Sequence, residues 1–240
     1  MEFASICRTP LILAVEGGHI EVVELLIENK CAINICADDG QTPLILAVEG
    51  RHTEVVKLLI ENKCDINICD DNGQTLLHRA CSKGYADIAE ILLKGNSNIN
   101  QFDKFMKTPL ILAVEGSHTE VVKLLIENKC GINICDDDDG KTPLHRVCLM
   151  GYADIAEILL KGNSNINQYD KFMQTPLILA VKCRHTEVVE LLVENKCDIN
   201  ICDKDGRTAR DIAVENQFVD IENILLNTIE NTNALNDWTE

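Results

Sequence analysis

Thr42-Pro-Leu-Ile-Leu-Ala-Val-Glu-Gly-Arg-His-Thr-Glu-Val-Val-Lys-Leu-Leu-Ile-Glu-Asn-Lys-Cys-Asp-Ile-Asn67 contains most of one structural unit. Thr42 is a strong helix N-cap, and Pro43 suits the first helical position, where no backbone donor is needed. The apolar run after it predicts a short helix to Val48, broken over Glu49 to His52. Val55, Val56, Leu58, Leu59 and Ile60 recur at helical spacing and predict a second helix with one buried face. Asn62-Lys63 ends that helix. Asp65-Ile66-Asn67, running on to Gly73, reads as an extended segment with a turn. The unit is helix, turn, helix and a projecting, hairpin-like finger.

The same opening recurs at Thr9, Thr42, Thr75, Thr108, Thr142, Thr175 and Thr208. Successive openings lie 33 residues apart, except for one interval of 34 between Thr108 and Thr142. A fixed period of this size means stacked supersecondary units, none of which can bury its apolar face alone. The expectation is one elongated all-α solenoid over residues 1–226, with a loose polar tail over 227–240. Thr208-Ala-Arg-Asp-Ile-Ala-Val is polar enough for a C-terminal capping unit. The front shows no such cap. Either residues 1–8 cap it poorly, or the chain is a fragment of a longer array.

The 240 residues are 46% hydrophobic but only 4% aromatic, so small aliphatic residues must build the core. With 22 Lys and Arg against 39 Asp and Glu, the formal net charge is −17. That disfavours nucleic acid, which is not an expected partner, because phosphate binding rests on Lys and Arg. It disfavours anionic membrane surfaces for the same reason, and it would steer a basic protein partner toward the chain. No apolar run approaches the length of a membrane span, and Met1 to Arg8 lacks signal-peptide order. The expected location is the cytoplasm, with the nucleus as an alternative.

The cysteines sit at repeat-equivalent places: Cys31/Cys36, Cys64/Cys69, Cys130/Cys135 and Cys197/Cys202. Equivalent positions in adjacent repeats lie roughly 8–10 Å apart, beyond the ~7 Å Cα limit of a disulfide. Free thiols in a reducing compartment are the simpler account.

The unit resembles the ankyrin repeat family over nearly the whole chain. The residues that carry the likeness are Thr-Pro-Leu-(His/Ile) opening helix one, Glu-Val-Val-x-Leu-Leu in helix two, and Asn-x-Cys-Asp-Ile-Asn leading to Asp-x-x-Gly. The fullest openings are Thr75-Leu-Leu-His78 and Thr142-Pro-Leu-His145. The resemblance implies a non-catalytic protein-interaction scaffold, with His78 and His145 capping and linking neighbouring turns and the end of helix one facing a concave groove. It also places Cys31, Cys64, Cys130 and Cys197 at a small buried position and Cys36, Cys69, Cys135 and Cys202 at exposed finger bases.

Two unit types alternate. Type A, in repeats one, two, four and six, reads Thr-Pro-Leu-Ile-Leu-Ala-Val. Type B, in repeats three and five, reads His-Arg-(Ala/Val)-Cys and then Gly-Tyr-Ala-Asp-Ile-Ala-Glu-Ile-Leu-Leu, and Gly84 to Gln101 is identical to Gly151 to Gln168. Several residues depart from the family pattern. Arg51, Ser117 and Arg184 replace the glycine between helices, which implies strain if φ stays positive there. Met106 and Met173 replace the finger-turn glycine, so those tips are expected to differ from the usual turn. The 34-residue interval adds a residue within Asp136-Asp-Asp-Asp-Gly140.

Metal binding needs about four ligands on one centre. His78-x-x-Cys81 and His145-x-x-Cys148 are two repeats apart, so neither a metal nor another cofactor is expected. Asp136 to Asp139 lacks calcium-loop spacing, which leaves a solvated acidic loop or a contact for a basic partner. No nucleophile, base and orienting group stand out together, so the chain is not expected to be an enzyme.

Partner-binding candidates come from positions where copies of one unit differ. Repeats four and six differ at Lys182, Cys183 and Arg184, and repeats three and five at Leu149 and Met150. Leu149, Met150 and Cys183 would lie together, as either an interaction patch or neutral drift. Phe105, Met106, Phe172 and Met173 are finger anchors unless they fold inward. Arg79 and Arg146 face the groove and can pair with the protein's own acids or with an acidic ligand. The expected function is reversible, non-catalytic binding of one protein partner by a monomer. The alternative is a subunit that recruits a client to a ubiquitin-ligase or kinase assembly.

Overall fold

The computed structural model describes residues 9–37, 40–136 and 139–236, with side chains described as far as Thr228. Seven helix pairs follow one another. They are α1 (Pro10–Glu16) with α2 (Ile20–Glu28), α3 (Pro43–Glu49) with α4 (Thr53–Glu61), and α5 (Leu76–Lys83) with α6 (Ala86–Lys94). Then come α7 (Pro109–Glu115) with α8 (Thr119–Glu127), α9 (Pro143–Met150) with α10 (Ala153–Lys161), α11 (Pro176–Lys182) with α12 (Thr186–Glu194), and α13 (Ala209–Glu215) with α14 (Val219–Asn236). Each first helix packs on the next first helix, and each second helix on the next second helix, giving two parallel layers. The described residues hold no strand, only two isolated bridges, Cys69 to Thr75 and Cys202 to Thr208.

The threonines start these helices as expected. Each accepts a bond from the backbone N–H three residues on, at 3.2 Å for Thr208 and 3.3 Å for Thr42. All five prolines occupy the first helical position. Core residues come from the period: Val55, Val56 and Leu59 on α4, and Ile155, Ala156 and Leu159 on α10, are buried. In type B units His78 and His145 are fully buried, and in type A units Ile12, Ile45, Ile111 and Ile178 fill the same place.

The alternation of unit types writes itself into the junctions between repeats. The residue between paired helices has positive φ in every unit: Gly18, Arg51, Gly84, Ser117, Gly151, Arg184 and Gln217. Where it is glycine, the next repeat lays a histidine on it. His52, His118 and His185 each donate Nε2–H to a carbonyl of the previous unit, those of Glu16, Ser82 and Leu149. Where it is arginine, the next repeat supplies an aromatic ring. Arg51 lies 5.0 Å from the Tyr85 ring centre and Arg184 5.1 Å from that of Phe218. The strain foreseen at Arg51, Ser117 and Arg184 is present, at φ 54, 55 and 56°.

The finger turns correct one expectation. Met106 and Met173 do not change the turn. They adopt φ 54 and 57°, the left-handed region that Gly73 and Gly206 occupy in type A fingers. Their N–H groups close the same bond, to Asp103 O and Asp170 O at 3.1 Å. The reason is the aspartate at the finger base. Oδ1 of Asp103 accepts from the N–H of Phe105 and Lys107 at 2.9 Å, and Asp170 does the same for Phe172 and Gln174 at 2.8 Å. Two anchored amides override the local preference of a side-chain-bearing residue. Met106→Gly and Met173→Gly are therefore expected to stabilise the fold. Relief of left-handed strain is ~1–2 kcal/mol, partly offset by the looser unfolded chain. A net ~0.5–1 kcal/mol each is expected, a rise of a few degrees in melting temperature, measured by calorimetry.

The ends also differ from expectation. The stretch from Asn227 is helical as far as Asn236, not a loose tail. No glycine or proline lies between Val219 and Asn236 to stop α14. At the C-terminal end Glu222 stands where inner repeats place Val56, Ala89 or Val122, which fits the expected polar cap. At the other end Val22 is 47% exposed, whereas its equivalents Val55 and Ile88 are 2% and 0%. Residues 1–8, one of the two alternatives given above for that face, lie outside the described residues.

Candidate interaction surface

The face made by the first helices and the fingers carries a ladder of ion pairs. Arg79 engages Glu49 and, at 3.0 Å, Asp70. Arg146 engages Asp136 and, at 3.6 Å, Glu115, which Lys107 also meets at 2.8 Å. Lys182 and Arg207 converge on Asp203 at 3.2 and 3.0 Å. Burial opposes ionisation of Asp136 and Asp203, but their cations and turn amides outweigh it. Asp136 is held below the ordinary carboxylate range, and Asp203 at about 2. The open question over Arg79 and Arg146 is answered locally: both are held by the protein's own acids. Sequence reading missed the finger-base aspartates Asp70, Asp103, Asp136, Asp170 and Asp203 as organisers of this face. Their signal was available, an aspartate five residues before the opening threonine in four of the fingers and six before Thr142.

Leu149 and Met150 end α9, and Cys183 caps α11 in the adjacent unit. The His185 bond to Leu149 O, at 3.1 Å, ties the two ends together. Only part of this group faces outward. Met150 is 45% exposed and Cys183 is exposed, but Leu149 packs against the core. Arg184 is exposed, lies over Phe218 and reaches Asp220 at 3.7 Å. Phe105, Met106, Phe172 and Met173 are all exposed, and do not fold inward.

The surplus negative charge lies mainly on the other layer. A cleft of about 360 Å³ between α10 and α12 is lined by Asp154, Glu157, Glu187, Glu190 and Glu194, with Ala153 and Leu191. Glu190 stands where repeats two and four have Lys57 and Lys123. Of the acidic loop at Asp136, residues 137 and 138 lie outside the described residues.

The eleven described cysteines are free thiols. Cys64 and Cys197 are buried and Cys31 and Cys130 half-buried, while Cys36, Cys69, Cys135 and Cys202 are exposed. Burial pushes Cys64 and Cys197 up to about 12 and Cys130 up to about 11, and it raises Cys81 and Cys148 further. Such thiols are poor nucleophiles. No group of three or more His, Cys, Asp or Glu among the described residues is placed to hold a metal ion. No described helix is long and apolar enough to cross a membrane.

Paired helices, left-handed turns and stacked fingers define a repeat solenoid of the protein-binding kind. Family models for ankyrin repeats match residues 11–103 and 96–170, and a further ankyrin model matches residues 161–213. The chain belongs to the ankyrin repeat family. Its fold is similar to the crystal structure of the ankyrin repeat domain of Bcl-3, a member of the IkappaB protein family. The TM-score is 0.83 at 25% identity, over 92% of this chain and 99% of that one. No curated protein sequence matches the chain.

Proposed function

We propose that this array binds a protein partner reversibly and without catalysis, through the first-helix face and the finger tips. The observation that carries this reading is the exposure of Phe105, Met106, Phe172, Met173 and Met150 beside a face whose charges are paired internally. Paired charges hold the surface rigid, and exposed Phe and Met supply the few anchors that dominate binding energy. A monomer in the cytoplasm or nucleus suits this role. The acidic second-helix layer favours approach of a partner with basic regions, by steering.

Met150→Lys, the residue pair of repeat three being Ser82-Lys83, is the clean probe. Affinity purification with the native chain is expected to recover a partner that the variant loses, with the melting temperature essentially unchanged. Leu149→Ser, by contrast, is expected to destabilise the array by ~1–2 kcal/mol, because Leu149 is partly core. Identical partners recovered by native and Met150→Lys baits would remove the α9 end from the binding surface.

A further inference from the structure

The second helices form the other layer of the array, and the clefts between them change chemistry with the unit types. Between α6 and α8 the lining holds Asp87, Glu90, Glu120 and Glu127 against a single lysine, Lys123. Between α10 and α12 it holds acids and no base. Between α4 and α6 the balance reverses. That cleft, of about 360 Å³, is lined by Lys57, Ile60, Glu61, Ile91, Lys94 and Gly95. Two lysines face one glutamate there, in a chain whose net charge is −17.

The walls of this cleft are apolar. Ile60 and Ile91 are half-buried and pack against the core, leaving part of each side chain toward the cleft. Gly95 has φ −80°, so no left-handed turn demands glycine there. The demand is space: an added Cβ would fall 2.4 Å from Ile66 Cδ1 and 3.1 Å from Ile60 Cγ2. Type A second helices end instead on asparagine, as at Asn62, whose Nδ2 donates to Leu58 O at 2.9 Å. The end of α6 therefore lays no side chain over the cleft.

Lys57 supplies a polar end. It is exposed and has no bonded partner among the described residues. Glu54 and Glu61 are its neighbours on the surface of α4, and neither bonds to it. Lys94, by contrast, is held by Glu90 at 2.7 Å. The junction of α8 and α10 repeats the lining residue for residue, as Lys123, Ile126, Glu127, Ile158, Lys161 and Gly162. There Glu120 holds Lys123 at 2.8 Å and Glu157 holds Lys161 at 2.6 Å. The uncommitted ammonium of Lys57 is what separates these two junctions.

A concave apolar surface with one converging charge has the composition of a small-molecule site, and such sites start at roughly 300 Å³. We propose that the cleft between α4 and α6 binds a small apolar carboxylate, of the medium-chain alkyl class, with its chain along Ile60 and Ile91 and its carboxylate on Lys57. Apolar burial supplies affinity, and the ammonium sets direction. The surplus negative charge elsewhere keeps anions from the rest of the surface. The site lies on the layer opposite the proposed protein-binding face, so either reading can fail without the other.

The test titrates decanoate, below its micelle concentration, into the full chain and follows isotope-labelled isoleucine methyl groups by NMR. Decanol and decyltrimethylammonium share its alkyl chain and differ in charge. Decanoate is expected to give saturable shifts at Ile60 and Ile91, and to bind about five-fold or more tightly than either control, the scale of one partly exposed ion pair. Lys57→Glu copies Glu24 and Glu190 of repeats one and six, and should weaken decanoate by about ten-fold, because repulsion replaces attraction. Lys57→Gln should weaken it by about five-fold through loss of charge alone. It serves as the probe if the melting temperature of the Glu variant falls. The proposal is overturned if decanoate gives no saturable shift, or if decyltrimethylammonium binds as tightly. Native-like binding by Lys57→Gln would overturn it too. So would equal shifts at Ile126 and Ile158, since the walls alone would then explain binding.

Discussion

Replacing His145 with alanine is expected to destabilise the array by about 3 kcal/mol, and the same change at His78 by a similar amount. His145 is fully buried. Its Nδ1 accepts from Thr142 N–H at 3.2 Å and lies 2.7 Å from Thr142 Oγ1. Its Nε2 lies 3.1 Å from the carbonyls of both Gln168 and Gln174 in the next finger. Carbonyls can only accept, so the proton belongs on Nε2 and the neutral ring satisfies every partner. Alanine removes half of a capping box, ~1 kcal/mol, at least one buried bond to the finger, ~1 kcal/mol, and leaves a cavity that adds to both. His145→Ile, which copies type A units, refills the volume and is expected to lose only about half as much. Equal losses for Ala and Ile in urea titration would show that the bonds contribute everything and the packing nothing.

The same ring makes stability pH-dependent. Burial holds the pKa of His78 and of His145 below the ordinary histidine value of 6.5, despite nearby acceptors that favour the proton. Between the lowered folded value and the unfolded value, the unfolded chain binds more protons. Stability therefore rises with pH and is lost as pH falls below about 6.5. The His78→Ile, His145→Ile variant should show a flatter acid limb than the native chain.

Gly151→Ala is expected to cost about 2–3 kcal/mol, although alanine is the smallest possible change. Gly151 has φ 77°, and an added Cβ would fall 2.5 Å from His185 Nδ1 and 2.7 Å from Cε1. Left-handed strain contributes ~1–2 kcal/mol, and displacing His185 from the Leu149 carbonyl about 1 more. Units with Arg51 or Arg184 at this place tolerate a side chain because Tyr85 or Phe218 follows, not histidine. Gly151→Ala combined with His185→Tyr is therefore expected to recover ~1 kcal/mol or more of that loss in a double-mutant cycle. An additive cycle would show that strain alone penalises Gly151→Ala, with no code between adjacent repeats.

Most of the fold was legible because each unit is specified locally. A threonine cap, a proline at the first turn and apolar residues at helical spacing act over a few residues. Seven copies in register then leave stacking as the one way to bury the exposed face. The stretch from Asn227 to Asn236 was misread because its polar residues suggested a loose tail, while the absence of a stop signal let α14 run on. The finger tips were misread because glycine preference is a local rule, and it was overruled by two amides held on Asp103 or Asp170.

Candidate binding residues were less legible. Leu149 and Met150 are adjacent in sequence and alike in polarity, yet one packs inward and the other faces water. For Arg79 and Arg146 the sequence left the protein's own acids and an acidic ligand as equal readings, and the fold decided by bringing up Glu49, Asp70, Asp136 and Glu115 from neighbouring units and fingers. The sequence by itself determined the unit, its period, its caps and the alternation of types, since these depend on bonds within one turn of helix. Tertiary structure alone decided which charges are neutralised, which glycines lie under a histidine and which apolar side chains remain exposed. Those outcomes depend on contacts between separate elements, from nine residues apart for Arg79 and Asp70 to 36 for His118 and the Ser82 carbonyl, separations beyond the reach of helix or turn propensity.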